Sequence, residues 1–174
     1  MEEIKNFTGQ IPDKKKIEII RKNWMSHDAK SQMTIVREFG WEKGNKINKQ
    51  VIQEMGKTMM QRLLNTLEIK KVTNMTDLLN YCYTAMNLYY PPPSMVYELK
   101  KLSETEAIGK IIKCQAIEQV KALKVENFYE CGCHSMRAGW YKAMGAKVQE
   151  ECSTCIKNGD EFCTIRLTVK RFKK

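Results

Sequence analysis

The chain has 174 residues, with 30 Lys plus Arg against 20 Asp plus Glu, a formal charge of +10 and 43% hydrophobic content. That is long enough for one domain with its own core and too apolar for a disordered segment. No apolar run approaches the roughly 20 residues that cross a bilayer, and the tip Met1-Glu2-Glu3-Ile4-Lys5 lacks an apolar leader, so a cytoplasmic protein without a membrane span is expected.

The first half reads as helices. Ile17, Ile20 and Trp24 fall at helical spacing, and Met33, Val36 and Phe39 resume it after Ser26-His27-Asp28, where Ser26 reads as an N-cap. Ile47, Val51, Met55, Met59, Leu63 and Leu67 recur every four residues and predict a long amphipathic helix. Thr76 is placed to cap a further helix from Asp77 to about Tyr89, which Pro91-Pro92-Pro93 ends by removing amide hydrogens.

Beyond the prolines the period becomes two. Met95, Tyr97 and Leu99 define one strand, and Ile108 and Ile112 with Lys110 mark a second. Gln115–Leu123 and Ser135–Met144 read as short helices, the latter ended near Gly145. Val148, Glu150 and Cys152 alternate into a third strand. Asn158-Gly159 then signals a hairpin, with Cys163, Ile165, Leu167 and Val169 on one face of the return strand. The expected class is α+β: a helical N-terminal layer packed on an antiparallel sheet with a C-terminal metal-bound hairpin. It is read as a single domain over 1–174, with 1–90 helical and 94–174 carrying the sheet and the cysteines.

The positive charge is spread evenly. Residues 1–70 carry 14 basic and 9 acidic side chains and residues 71–174 carry 16 and 11, so only Lys14–Lys16 and Lys170–Lys174 concentrate it. No groove-reading motif accompanies these runs, which leaves nonspecific nucleic-acid binding as a second alternative only.

The cysteines are uneven where the charge is not. Five of the seven, Cys131, Cys133, Cys152, Cys155 and Cys163, fall in the last third, while Cys82 and Cys114 stand apart. In a reducing compartment such clustering reads as soft metal ligation rather than as disulfides. The two-residue gap lets Cys152 and Cys155 share an ion, and the hairpin folds Cys163 back beside them. Cys131 or Cys133 completes a tetrahedron. The expected metal set is Cys131, Cys152, Cys155 and Cys163, with structural zinc the expected ion and an iron–sulfur cluster the alternative. The competing reading is that these are buried small hydrophobes. His134 is a candidate ligand in place of a cysteine, but beside Cys133 it is expected to face solvent.

Met144-Gly145, Cys155, the seven-residue loop holding Gly159, and Cys163 resemble the vinyl-4-reductase domain, known also from phenol-sensing bacterial regulators. That resemblance implies a zinc ion beside a pocket for a small hydrophobic molecule. Cys155 and Cys163 match the family's Cys-x7-Cys pair, whereas Cys152 stands where the family has a glutamate ligand. The whole chain is also similar to relatives of 2-amino-thiazoline-4-carboxylate hydrolases. Arg21–Asp28, Phe39-Gly40-Trp41-Glu42, Cys114 and Cys131 carry that likeness.

Neither a phosphate loop, HExxH nor a nucleophile elbow is present. His27-Asp28 and the thiol of Cys114 are the remaining catalytic candidates, each with a bland reading as a helix start and a buried strand-end cysteine. Tyr81, Tyr83, Tyr89, Tyr90 and Tyr97 crowd around the prolines and either line a pocket or belong to core and interface. The expected function is a metal-binding domain that binds or senses a small hydrophobic or aromatic molecule, as a homodimer. A small hydrolase or reductase is the alternative.

Overall fold

The computed structural model describes residues 6–173; Met1–Lys5, on which the leader reading rests, and Lys174, the end of the basic run, lie outside them. The chain resolves into two compact units, Met1–Gly44 and Asn45–Lys174. Helix α1 (Asp13–Thr66) supplies most of the first and opens the second, with one non-helical residue, Gly40, at φ 77° and ψ 168°. Glycine fits there because a side chain would strain that backbone.

In the first unit α1 starts beside Pro12, whose carbonyl accepts from the amides of Lys15 and Lys16. Glu18 takes ion pairs from Lys15 and Lys22 one turn away on either side. Ser26 does not cap a helix, because α1 runs through it without a break; His27 and Asp28 therefore sit mid-helix. A serine followed by an acid two positions on carries too little local preference to interrupt an otherwise helical run.

In the second unit the remainder of α1 and α2 (Met75–Tyr89) supply the helical side. The buried line along α1 is Gly56, Met59, Met60, Leu63 and Leu64, while Val51 and Leu67 from the expected stripe are exposed. Strict spacing of four drifts around a helix of 3.6 residues per turn, so a six-member stripe cannot stay on one face. Asn74, not Thr76, caps α2: its side-chain oxygen accepts from the Asp77 amide at 2.9 Å, and its amide donates to the Asp77 carboxylate at 2.7 Å.

Four strands form one antiparallel sheet: β1 (Met95–Lys101), β2 (Glu106–Cys114), β3 (Ala146–Thr154) and β4 (Cys163–Phe172). Their spatial order is β1-β2-β4-β3. Helices α3 (Gln115–Ala122) and α4 (Cys133–Ala143) lie between β2 and β3 in sequence. α4 packs along β3 and α2 along β1, which completes an α+β unit with helices on one face of the sheet.

That covered face carries Met95, Ala107, Ile111, Ile165, Leu167 and Val169, buried against Met60, Leu64, Leu78 and the fully buried Trp140. On β2 the inward residues are Ala107, Gly109 and Ile111. Ile108 and Ile112 take the opposite face, and Ile112 is exposed. With isoleucines at 108, 111 and 112, alternation alone favours neither parity; pairing of Gly109 with Leu99 and Ile165 decides it. The Asn158-Gly159 turn is also longer than a two-residue hairpin. Residues 155–162 form the connection, with a 3-10 turn over Ile156–Asn158 and Gly159 at φ 103° bringing the chain back.

Among the described residues no helix is long and apolar enough to cross a membrane. Three of the five clustered tyrosines are held by hydrogen bonds within the fold, while Tyr83 is exposed. Tyr89 donates to the Met59 carbonyl at 3.0 Å, Tyr97 to the Tyr83 carbonyl at 3.0 Å, and Tyr90 to the Met136 sulfur at 3.1 Å.

Candidate functional site at the cysteine end of the sheet

The loop before α4 is clamped by the start of the second unit. Buried Asn45 donates to the Phe128 carbonyl at 2.7 Å and accepts from the Glu130 amide at 3.2 Å, and Lys49 pairs with the Glu130 carboxylate. Cys131 follows directly. A Cβ on Gly132 would meet the Ile52 side chain at 2.5 Å, so glycine between the two cysteines lets α1 pass close to the beginning of α4. Cys133 is then the first residue of that helix, where unpaired amides favour negative charge.

Cys131 and Cys133 stand on either side of Gly132 and act on each other's thiols in opposite directions. Cys133 raises the Cys131 thiol, and burial adds to this. Cys131 lowers Cys133 well below the ordinary thiol range against the cost of burial, helped by the charges of Arg137 and His134. Across the sheet end, Cys163 lies on the inner face of β4, opposite Cys155 in the continued strand register. Burial pushes the Cys163 thiol up to about 12, although its sulfur accepts the Ile156 amide at 3.3 Å. The two pairs feel each other: Cys155 raises Cys131, and Cys133 raises Cys163.

Cys152 lies two residues along β3 from Glu150, is exposed, and donates its thiol to the Thr154 carbonyl at 3.1 Å. Cys114 closes β2 half-buried, and burial raises its thiol. Cys82 is in the core, where burial pushes it up to about 12. Among the described residues no three or more His, Cys, Asp or Glu side chains stand in a metal-holding arrangement. Cys131 and Cys133 thus flank Gly132 at the start of α4, Cys155 and Cys163 face each other across the β3–β4 connection, and Cys152 is turned toward its own strand.

Beside the thiols lies a polar network that inspection of the cysteines does not reveal. His134, Arg137 and Tyr141, spaced three and four apart, share one face of α4, and Glu150 points inward from β3. Arg137 grips the Glu150 carboxylate with Nε to Oε1 at 2.6 Å and Nη2 to Oε2 at 2.9 Å. Tyr141 donates to Oε1 at 2.6 Å, and His134 Nδ1 meets Oε2 at 2.6 Å. Burial alone would raise Glu150, but the His134 bond and the Arg137 charge hold it at about 2. The bond to Glu150 raises His134 in return. His134 therefore does not simply face solvent; it bridges the surface and a buried carboxylate. One signal was available: Glu150 shares the strand face of Val148 in an alternating pattern, which puts a carboxylate on the apolar side and requires a cationic partner there.

Helices on one face of a four-stranded antiparallel sheet, with thiols and a buried ion pair at one end, define a cysteine-rich α+β domain. The chain belongs to the L-2-amino-thiazoline-4-carboxylic acid hydrolase family, whose profile matches residues 27–167, as the likeness in Arg21–Asp28, Phe39–Glu42, Cys114 and Cys131 implied. No curated protein matches the chain significantly. Among solved structures it is similar to trafficking protein particle complex subunit 3 from Naegleria fowleri covalently bound to palmitic acid. That likeness has a TM-score of 0.59 at 14% identity, covering 90% of this chain and 99% of that one. An H-NOX protein from S. oneidensis in the Fe(II)NO ligation state is a looser likeness, with a TM-score of 0.45 at 15% identity over 71% of this chain and 66% of that one. At such identities the trafficking subunit shares the fold.

Proposed function

We propose that this chain is a small-molecule-binding domain for a hydrophobic or aromatic ligand, with a structural zinc ion at its cysteine end. The observation that carries the reading is the placement of Cys155 opposite Cys163 across the β3–β4 connection, with the Ile156 amide donating to the Cys163 sulfur at 3.3 Å. Soft thiolates are the donors zinc prefers, and Cys155, Cys163 and one of Cys131 or Cys133 would hold it. Cys152 joins them once its thiol releases the Thr154 carbonyl. Bound zinc would tie the β3–β4 hairpin to α4. The palmitic acid held by the trafficking subunit supports an apolar ligand for this scaffold.

Metal per chain, measured on protein purified without oxygen together with its absorption spectrum, separates zinc from an iron–sulfur cluster. Cys155→Ser loses the metal and Cys82→Ser keeps it; equal occupancy in both variants overturns the site. A thermal-shift panel of phenols, aromatic acids and fatty acids tests the ligand, and a panel in which nothing raises the melting temperature overturns that half.

A second reading is a hydrolase acting on a thiazoline-type ring, favoured by Cys133 standing at the start of α4 beside His134, itself oriented by Glu150. Cys133 would add to the amidine carbon and His134 would move the proton. Turnover of 2-amino-thiazoline-4-carboxylate that is lost in Cys133→Ser and kept in Cys155→Ser supports it; no turnover by the unaltered chain sinks it.

A further inference from the structure

We propose that Cys155 and Cys163 are a redox-active dithiol that a hydroperoxide converts to an intramolecular disulfide, and that closing this bond empties the zinc site; the second clause rests on the zinc reading above. The last strand pair before the loop is Thr154 with Thr164, so continuing the register sets Cys155 opposite Cys163. Directly opposed residues on antiparallel strands lie about 4.5–5.5 Å apart at Cα, within the range a disulfide spans.

The Ile156 amide, next in the chain to Cys155, donates to the Cys163 sulfur at 3.3 Å, which holds that sulfur against the backbone beside Cys155. The surrounding backbone is pinned on both sides. Thr154 and Thr164 hydroxyls bond at 2.9 Å, and the Thr164 amide donates to the Thr154 hydroxyl at 2.9 Å. The Cys155 amide donates to the Asp160 carboxylate at 2.7 Å, and the Asn158 amide to the Cys155 carbonyl at 2.8 Å. Both cysteines are half-buried, within reach of a small oxidant.

The other thiols are worse placed. Cys131 and Cys133 are separated only by Gly132, which Ile52 crowds, so joining them would displace backbone at the start of α4. Cys82 is buried, and Cys152 is committed to Thr154.

The step balances with hydrogen peroxide alone. Two thiols give up two electrons and two protons, the peroxide O–O bond breaks, an S–S bond forms, and both oxygens leave as water. A dithiol reductant reverses it. Once the two sulfurs are joined they no longer offer thiolates, and two of the proposed zinc donors are lost together.

The experiment uses the full chain, fully reduced, with zinc and after chelation, treated with equimolar hydrogen peroxide. Trypsin cuts after Lys147, Lys157 and Arg166, so the bridge appears as peptide 148–157 joined to peptide 158–166. We expect that linked pair in the chelated chain, its loss on adding dithiothreitol, its retention in Cys152→Ser and its absence in Cys163→Ser. In the zinc-loaded chain, released zinc should rise in step with the linked pair. Oxidation that stops at sulfinic acid, or that joins Cys131 to Cys133 instead, overturns the dithiol. Zinc uptake without any linkage after chelation overturns the dithiol alone. Linkage in a chain that binds no zinc when reduced overturns the metal clause alone.

Discussion

Replacing Glu150 with Gln removes the charge around which Arg137, His134 and Tyr141 are arranged while keeping its shape. In the native chain the carboxylate accepts four hydrogen bonds, two from Arg137. The substitution takes from the Arg137 guanidinium, itself only 10% exposed, the carboxylate it is hydrogen-bonded to. Breaking a buried pair from one side costs about 3–5 kcal/mol, a large share of the roughly 5–15 kcal/mol that holds a domain together.

The pH dependence supplies an independent magnitude. Glu150 sits at about 2 in the folded chain against 4.5 for a free side chain, so its contribution is complete above 4.5 and lost as pH falls through 2. That depression corresponds to about 3 kcal/mol, in line with the cost of breaking the pair. His134 runs the other way: its raised value makes its contribution full below 6.5, and this is lost as pH rises through the folded value. Urea unfolding of both proteins between pH 3 and pH 7 measures these terms. At neutral pH the variant should be less stable by the stated amount. Below pH 4.5 the two curves should draw together steadily, with about 40% of the difference left at pH 3. A loss under about 1 kcal/mol at pH 7, or parallel pH curves, would refute the view that this network is a paired buried charge rather than a solvated one.

Gly139→Ala drives a methyl group into the Gln53 carbonyl and to within 2.6 Å of the Lys57 amide, where α4 crosses α1. Overpacking against backbone should cost at least about 1–3 kcal/mol in the same assay, and a neutral result would mean that the helices separate freely. Asn74→Ala removes the α2 cap and should cost about 1 kcal/mol, while Thr76→Ala should cost much less, since Thr76 is not the cap.

The elements were legible wherever local chemistry is strong. Three prolines after α2, alternation on β1 and β4, and the glycine after α4 follow from dihedral limits and side-chain period, which act within a few residues. The Asn158-Gly159 signal likewise announced that the chain would turn back on itself between Cys155 and Cys163. Tertiary structure alone decided the rest. Which isoleucine of β2 faces inward depended on its neighbours in the sheet. The close passage of Ile52 on α1 by Gly132, between Cys131 and Cys133, came from packing. Above all, the grip of Arg137 on Glu150 joins residues thirteen apart on a helix and a strand. Sequence could say that an inward carboxylate needs a cation, but only packing brings the particular cation to it, because burial makes pairing obligatory without naming the partner.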